Sequence, residues 1–170
     1  RARLIAPEEI IGSDIMEKGR ERIRETYGIN VTSDNREAAE KSEVLVLSVK
    51  PQFYEETIRE IRDCITEEKI IVTLAPGKTL DWLETQFGKK VKIVRTMPNT
   101  PALVGEGMTA ACPNQYVTEE ERDYVLKILG AFGKVEIVPE RLIDAVVAVS
   151  GSSPAYVFIL IEAMADAAVA

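Results

Sequence analysis

The residues best placed for chemistry lie in three short turns, each of which follows an apolar run and is rich in proline and small side chains. These turns are residues 48–51 (SVKP), 73–77 (TLAPG) and 97–101 (MPNTP). Proline donates no backbone hydrogen bond and fixes its φ, so a strand that reaches such a turn must end there. Ligands of open α/β sheets bind at the carboxyl ends of strands. Three neighbouring ends of this kind therefore predict a surface for an elongated, nucleotide-like cofactor.

Each turn also has a plainer interpretation. Lys50 fits a polar strand end that carries a lysine by chance, and the glycine and proline of residues 73–77 are equally typical of a simple turn. The coincidence of three such ends favours the cofactor.

Asp14 ends the first apolar run, where a dinucleotide-binding unit places an acid on the adenosine ribose. A carboxylate there favours NAD, whereas Lys18 and Arg20 are suited to the extra phosphate of NADP. The alternative is that Asp14 only caps the helix that begins near Glu17.

The elements that must position these residues alternate along the chain. Apolar runs predict strands at residues 10–12, 44–49, 70–74 and 91–94, and helical patterns predict helices at 17–27, 53–62 and 80–87. This alternation is typical of a mostly parallel sheet covered by helices. Thr118 and Glu121 form a capping-box pattern that begins a further helix.

Residues 150–154 (SGSSP) interrupt two apolar helical segments and predict a hinge of the helix-break-helix type, with Ser153 capping the second helix. After Pro154, Glu162 and Asp166 are the only charged residues in a helix that is apolar nearly all round. Such a helix must be buried, which predicts a second domain or a partner subunit.

Composition excludes several function classes. The net charge of −7 disfavours nucleic acid binding, and the absence of histidine excludes Ser–His hydrolase and His–zinc chemistry. No unbroken apolar stretch reaches the roughly 18 residues of a membrane span. Cys64 and Cys112 lie outside any CxxC pattern and fit reduced thiols. A soluble, cytoplasmic protein without a metal site is expected.

The glycine-rich loop that should hold a cofactor pyrophosphate is not in this sequence. Such a loop precedes the ribose-binding acid by about 20 residues. Before Gly28, however, the only glycines are Gly12 and Gly19, and neither precedes Asp14 at the required spacing. We expect the first strand and the loop to lie outside the given sequence.

Taken together, five motifs resemble the pyrroline-5-carboxylate reductase family of proline biosynthesis. They are residues 48–51 (SVKP), 97–101 (MPNTP), 106–107 (EG), 142–146 (LIDAV) and 150–156 (SGSSPAY). The resemblance implies an α/β, Rossmann-like dinucleotide-binding domain over residues 1–149, lacking its first strand and glycine loop. It implies that residues 150–170 are the first helix of a truncated all-helical dimerisation domain.

The resemblance also implies a reaction and a site. Hydride passes from NADPH or NADH to a cyclic imine, 1-pyrroline-5-carboxylate, and gives L-proline. No catalytic side chain and no metal are implied, the protein is a homodimer or larger oligomer, and the 170 residues alone are expected to be inactive. Asp14 and Met16 are implied near the adenosine ribose and Asn35 near the adenine. The other implied cofactor-binding residues are Ser48, Val49, Lys50, Pro51, Leu74, Ala75, Pro76, Met97, Pro98 and Asn99.

Two alternatives remain open. One is a dehydrogenase of the hydroxyacid or phosphogluconate type, although residues 155–170 lack the lysine those enzymes typically use. The other is an inactive fragment that binds a partner through its apolar tail.

Overall fold

The structure, a computed structural model, describes residues 4–74 and 76–169. The strands in this part of the chain are β1 Ile11–Ser13, β2 Asn30–Thr32, β3 Val44–Leu47, β4 Ile70–Thr73, β5 Lys92–Met97, β6 Gly107–Pro113 and β7 Gly133–Ile137. The α-helices are α1 Glu17–Tyr27, α2 Asn35–Lys41, α3 Tyr54–Ile61, α4 Leu80–Phe87, α5 Glu119–Leu129, α6 Ile143–Val146 and α7 Ser153–Val169.

These strands form two sheets. β1 pairs with β2 in parallel, and the five remaining strands form a second sheet in the order β3-β4-β5-β6-β7. Within that sheet β5 and β6 are antiparallel and every other pair is parallel. The predicted α/β class with a mostly parallel sheet is confirmed.

The centre of the larger sheet is buried on both faces. All four residues of β4 are buried, and its side chains divide between two apolar clusters. Ile71 packs with residues of α3 and α4, whereas Ile70 and Val72 pack with residues of α5. A strand covered on both faces reads as a continuous apolar run, which explains why residues 70–74 were visible in the sequence. The run at residues 44–49 was equally visible, although Val46 on β3 is 47% exposed.

The helix ends follow local signals. α1 and α4 end at Gly28 and Gly88, both in the left-handed conformation that glycine adopts without penalty. The side chain of Asp34 accepts hydrogen bonds from the first turn of α2, and Thr118 with Glu121 forms the predicted capping box of α5. Strand β2 was not predicted.

The predicted break at residues 150–154 is wrong. A π-helical turn, Val147–Gly151, joins α6 to α7 without interrupting the helix. The Ser152 N–H donates to the Val147 carbonyl, five residues back, at 3.1 Å. Ser153 is the first residue of α7, and its hydroxyl donates to the Val149 carbonyl instead of capping the helix. The polar residues of the segment 150–153 are therefore accommodated by one wider helical turn, and the helix continues through them.

Glu121→Gln is expected to make the free energy of unfolding less dependent on pH in the acid range. Burial alone raises the pKa of Glu121, but hydrogen bonds from Lys92 and Thr118 outweigh it and lower that pKa below its ordinary value. The carboxylate therefore stabilises the fold above the unfolded-state pKa of about 4.3, and this contribution is lost as pH falls through the folded-state pKa.

Urea unfolding of the natural protein at neutral and at acid pH measures this effect. The free energy of unfolding should fall less from neutral to acid pH in Glu121→Gln than in the wild type. Glu119→Gln, an exposed neighbour in the same helical turn, is the control. Identical pH dependence in the wild type and Glu121→Gln would contradict the prediction.

Candidate functional site

Three turns leave the larger sheet side by side. β3, β4 and β5 are adjacent and parallel, with Leu47 opposite Thr73 and Thr73 opposite Arg95. The turns that follow them begin with residues 48–51 after β3, residue 74 after β4 and residues 98–99 after Met97, the last residue of β5. They therefore lie at one edge of the sheet. This is the arrangement that the three proline-bearing turns predicted.

The turn after β3 presents its side chains to solvent. Ser48, Val49 and Lys50 are exposed, whereas Leu47 before them is buried. Pro51 begins a short 3₁₀ turn that leads into α3. Residues 48–50 are thus exposed between the buried end of β3 at Leu47 and the 3₁₀ turn that leads into α3.

Tyr54, which sequence reasoning missed, connects the first two strand ends. It is fully buried at the start of α3. Its hydroxyl donates to the Leu47 carbonyl at 2.5 Å and accepts from the Leu74 N–H at 3.2 Å. The one visible signal is a tyrosine just after Pro51, and nothing local in the sequence indicates a partner twenty residues away.

The turn after β4 is only partly described. Leu74 is half-buried and Pro76 is exposed, while Ala75, a predicted site residue, lies outside the described residues. The Thr96 hydroxyl donates to the Thr73 carbonyl at 2.8 Å, which ties the end of β4 to β5.

The turn after β5 meets the π-helical turn. Met97, Pro98 and Asn99 are half-buried. The Asn99 side-chain amide donates to the Ser150 hydroxyl at 3.1 Å, and its oxygen accepts from the Met108 N–H at 2.9 Å. A β-carbon added to Gly151 would lie 3.0 Å from Met97 Cε. The structure therefore brings together two motifs that stand about fifty residues apart.

A second group of predicted residues surrounds the end of β1. Asp14 is exposed, and one of its carboxylate oxygens accepts from the Met16 N–H at 2.8 Å. Its main-chain carbonyl accepts from the Arg20 guanidinium at 2.6 Å. The N-cap residue of α1 is Met16, so the alternative that Asp14 caps this helix is wrong.

Asn35 links this group to the larger sheet. Its side-chain oxygen accepts from the Ser13 hydroxyl at 2.7 Å, and its amide donates to Glu60 in α3 at 2.8 Å. Asn35 thus joins the end of β1 to α3. Because α3 follows residues 48–51 in the chain, this contact also relates the end of β1 to the turn after β3.

The remaining reactive groups of the described chain lie elsewhere. Cys64 and Cys112 are free, buried thiols, and burial raises the pKa of both, which keeps them protonated and unreactive. Within residues 4–74 and 76–169, no three His, Cys, Asp or Glu side chains are grouped so that they could hold a metal ion.

Two protein families match this chain. Residues 2–77 match the family described as NADP oxidoreductase, coenzyme F420-dependent. Residues 140–170 match the family described as pyrroline-5-carboxylate reductase dimerisation.

Named relatives agree with the second match. The pyrroline-5-carboxylate reductase of Escherichia coli is 45% identical over 147 residues, covering 86% of this chain and 55% of the relative. That of Synechocystis is 43% identical, covering 99% of this chain and 64% of the relative. The chain thus spans between half and two thirds of the length of these relatives.

A solved structure gives the same result. The pyrroline carboxylate reductase of Plasmodium falciparum, crystallised with NADP bound, is 32% identical and superposes with a TM-score of 0.89, covering 99% of this chain and 61% of that one. The predicted Rossmann-like fold is confirmed by this superposition. The sequence motifs, the shared architecture and the carboxyl-terminal match agree, and the chain belongs to the pyrroline-5-carboxylate reductase family.

Proposed function

We propose that this chain forms the cofactor-binding part of an enzyme that reduces 1-pyrroline-5-carboxylate to L-proline with NADPH or NADH. The observation that carries the proposal is the hydrogen bond from Asn99 to Ser150. It brings the turn after β5, where a nicotinamide would rest, into contact with the segment that begins the dimerisation-family match. The proposed domains are residues 1–149 for the cofactor and 150–170 for assembly.

The proposed cofactor contacts follow the strand ends. Asp14, Met16 and Asn35 surround the end of β1, where an adenosine would bind. The exposed residues Ser48, Val49 and Lys50, with Pro51, would lie along the ribose and phosphates, since they offer exposed backbone and one cation. Leu74, Ala75 and Pro76, followed by Met97, Pro98 and Asn99, would extend the site to the nicotinamide.

The residues of this chain would position the reactants. When bound, the reduced nicotinamide would supply a hydride to the imine carbon, and the ring nitrogen would take up protons from solvent to become the protonated amine of proline. Met97 and Pro98 offer an apolar, rigid surface for a flat ring, and Asn99 is fixed on both sides by hydrogen bonds. Most of the rate enhancement would then come from orientation and the exclusion of water.

The direct test uses the natural protein with NADPH and 1-pyrroline-5-carboxylate. Substrate-dependent loss of NADPH absorbance, with proline as the product, is expected; no turnover with either coenzyme would end the proposal. The 170 residues alone, which span about 55–64% of the relatives' length, should show weak coenzyme binding in calorimetry and no turnover.

Arg20→Ala is expected to weaken binding of NADPH more than binding of NADH. Arg20 is held at the end of β1 by its contact with the Asp14 carbonyl. Its cation would thus lie beside the proposed adenosine ribose, where NADPH carries its extra phosphate. Losing one charge-assisted contact should raise the KM for NADPH by about tenfold. Arg22→Ala, an exposed arginine on the same helix, is the control, and an equal effect of Arg20→Ala on both coenzymes would contradict the prediction.

The apolar helix α7 requires a partner. The continuous helical segment Glu140–Val169 is long and apolar enough to cross a membrane, and little of it is buried. We propose a second copy of the chain as the partner, because residues 140–170 match a dimerisation family. Sedimentation of the natural protein without detergent should give a dimer or larger oligomer in the cytoplasmic fraction. Recovery only with membranes would contradict this.

A further inference from the structure

We propose that Arg95 is a positioning residue that sets where the helical segment 140–151 lies along β5, and so places Ser150 beside Asn99. The inference rests on the proposed function, because it gives a role to a residue outside the proposed cofactor contacts. The Arg95 side chain is 3% exposed. Its guanidinium lies 2.9 Å from a Glu140 carboxylate oxygen and 3.5 Å from an Asp144 carboxylate oxygen.

Strand and helix run in the same direction. Arg95 contacts Glu140 and Asp144 near the start of the segment, whereas Asn99, four residues further along the chain, contacts Ser150. Arg95 and Met97 are two residues apart, so their side chains lie on the same face of the strand. Gly151 lies against Met97. The segment 140–151 is therefore held at its beginning by the ion pairs of Arg95 and at its end by the hydrogen bond from Asn99 to Ser150.

Glu140 is the more important carboxylate. It is 31% exposed, and the same oxygen that contacts Arg95 accepts from the Leu80 N–H at 2.7 Å, so its position is fixed from two sides. Asp144 is 84% exposed, and its longer contact contributes little in water. A buried guanidinium without its carboxylate is strongly unfavourable, so these contacts permit one position of the segment.

A shift of the segment would separate the two motifs. Moving a helix by one turn displaces it by about 5.4 Å. That distance would remove the Asn99–Ser150 hydrogen bond and would place a bulkier residue than Gly151 against Met97. The side chain of Arg95 is tightly enclosed between β5 and the segment 140–151. Its Nε is buried and has no hydrogen-bond partner in the described part of the chain.

The test compares Arg95→Met and Arg95→Lys with Lys92→Met in the natural protein. Lys92 also lies in β5 and pairs with Glu121 of α5, away from the segment 140–151. Arg95→Met should lower kcat by about 10²-fold, as expected for misplaced reactants, with little change in the Kd for NADPH. Arg95→Lys, which keeps the charge, should recover part of this loss. Lys92→Met should leave kcat unchanged.

Two further measurements separate positioning from a structural role. In the double variant Arg95→Met with Ser150→Ala, the two losses should not add, because Arg95 acts through Ser150. Backbone hydrogen exchange over residues 147–153 should accelerate in Arg95→Met and not in Lys92→Met. Exchange does not depend on turnover, so an inactive wild type would contradict the proposed function alone. Unchanged exchange in Arg95→Met and Arg95→Lys, or kcat losses equal to those of Lys92→Met, would overturn the role of Arg95.

Discussion

Gly133→Ala is expected to destabilise the fold more than any other single methyl addition at a glycine of the described chain. Gly133 begins β7 with φ 141° and ψ −145°, a conformation that is essentially restricted to glycine. A β-carbon there would lie 2.1 Å from the Gly107 carbonyl oxygen and 2.4 Å from the Gly107 nitrogen. These are backbone atoms of β6, so neither can rotate away. The pairing of Gly107 with Gly133 would have to open.

Strain and overpacking together should cost about 3 kcal/mol or more. In a protein of this size class that loss corresponds to a fall in Tm of about 6–12 °C. Thermal and urea unfolding of the natural protein measure it. Gly130→Ala is the matched control, since Gly130 has φ −61° and nothing lies within 4 Å of an added β-carbon. If both variants unfold at the same temperature, the proposed close approach of β6 and β7 is wrong.

Tyr54→Phe is expected to weaken both the fold and coenzyme binding. The change removes the hydroxyl that joins the Leu47 carbonyl to the Leu74 N–H and leaves the ring in place. Depriving buried backbone groups of a partner costs about 1–3 kcal/mol. Ser48 follows directly on Leu47, and Leu74 is itself a proposed coenzyme contact. The ends of β3 and β4 should therefore separate or become mobile, and the Kd for NADPH should rise by about tenfold.

Urea unfolding and fluorescence titration with NADPH measure the two effects of Tyr54→Phe. Tyr124→Phe, which removes a hydroxyl from a half-exposed ring on α5, is the control and should change the unfolding free energy by less than about 0.5 kcal/mol. An unchanged coenzyme Kd in Tyr54→Phe would show that the joined strand ends do not support the coenzyme.

Local signals made much of the fold predictable. The predicted helices at residues 17–27 and 80–87 coincide with α1 and α4, because a left-handed glycine ends each one. β4, which is buried on both faces, and the partly exposed β3 were both visible as apolar runs. The pattern failed for β2, which has three residues, one of them Asn30, and pairs only with the equally short β1. A strand of that length with a polar residue in it carries too little periodicity to be recognised, whereas β1 was visible because Ile10 and Ile11 form an apolar pair at its start.

The candidate site was predictable at the level of turns and not of contacts. Proline and small residues indicated where β3, β4 and β5 end, and the parallel order of these strands brought the turns to one edge. The bonds of Tyr54 to Leu74 and of Arg95 to Glu140 join residues twenty or more positions apart. No local pattern specifies such partners. Cofactor contact by the predicted residues remains a prediction.

The widened turn at Val147–Gly151 gives the long helix an inserted residue at one defined place. A hydrogen bond that spans five residues instead of four advances the following side chains by about one position around the helix axis. The hydroxyl of Ser150 lies within this turn and contacts Asn99, while the apolar side chains of α7, which follow the turn, begin from a rotated starting point. One local irregularity thus decides the direction in which the apolar side chains of α7 face.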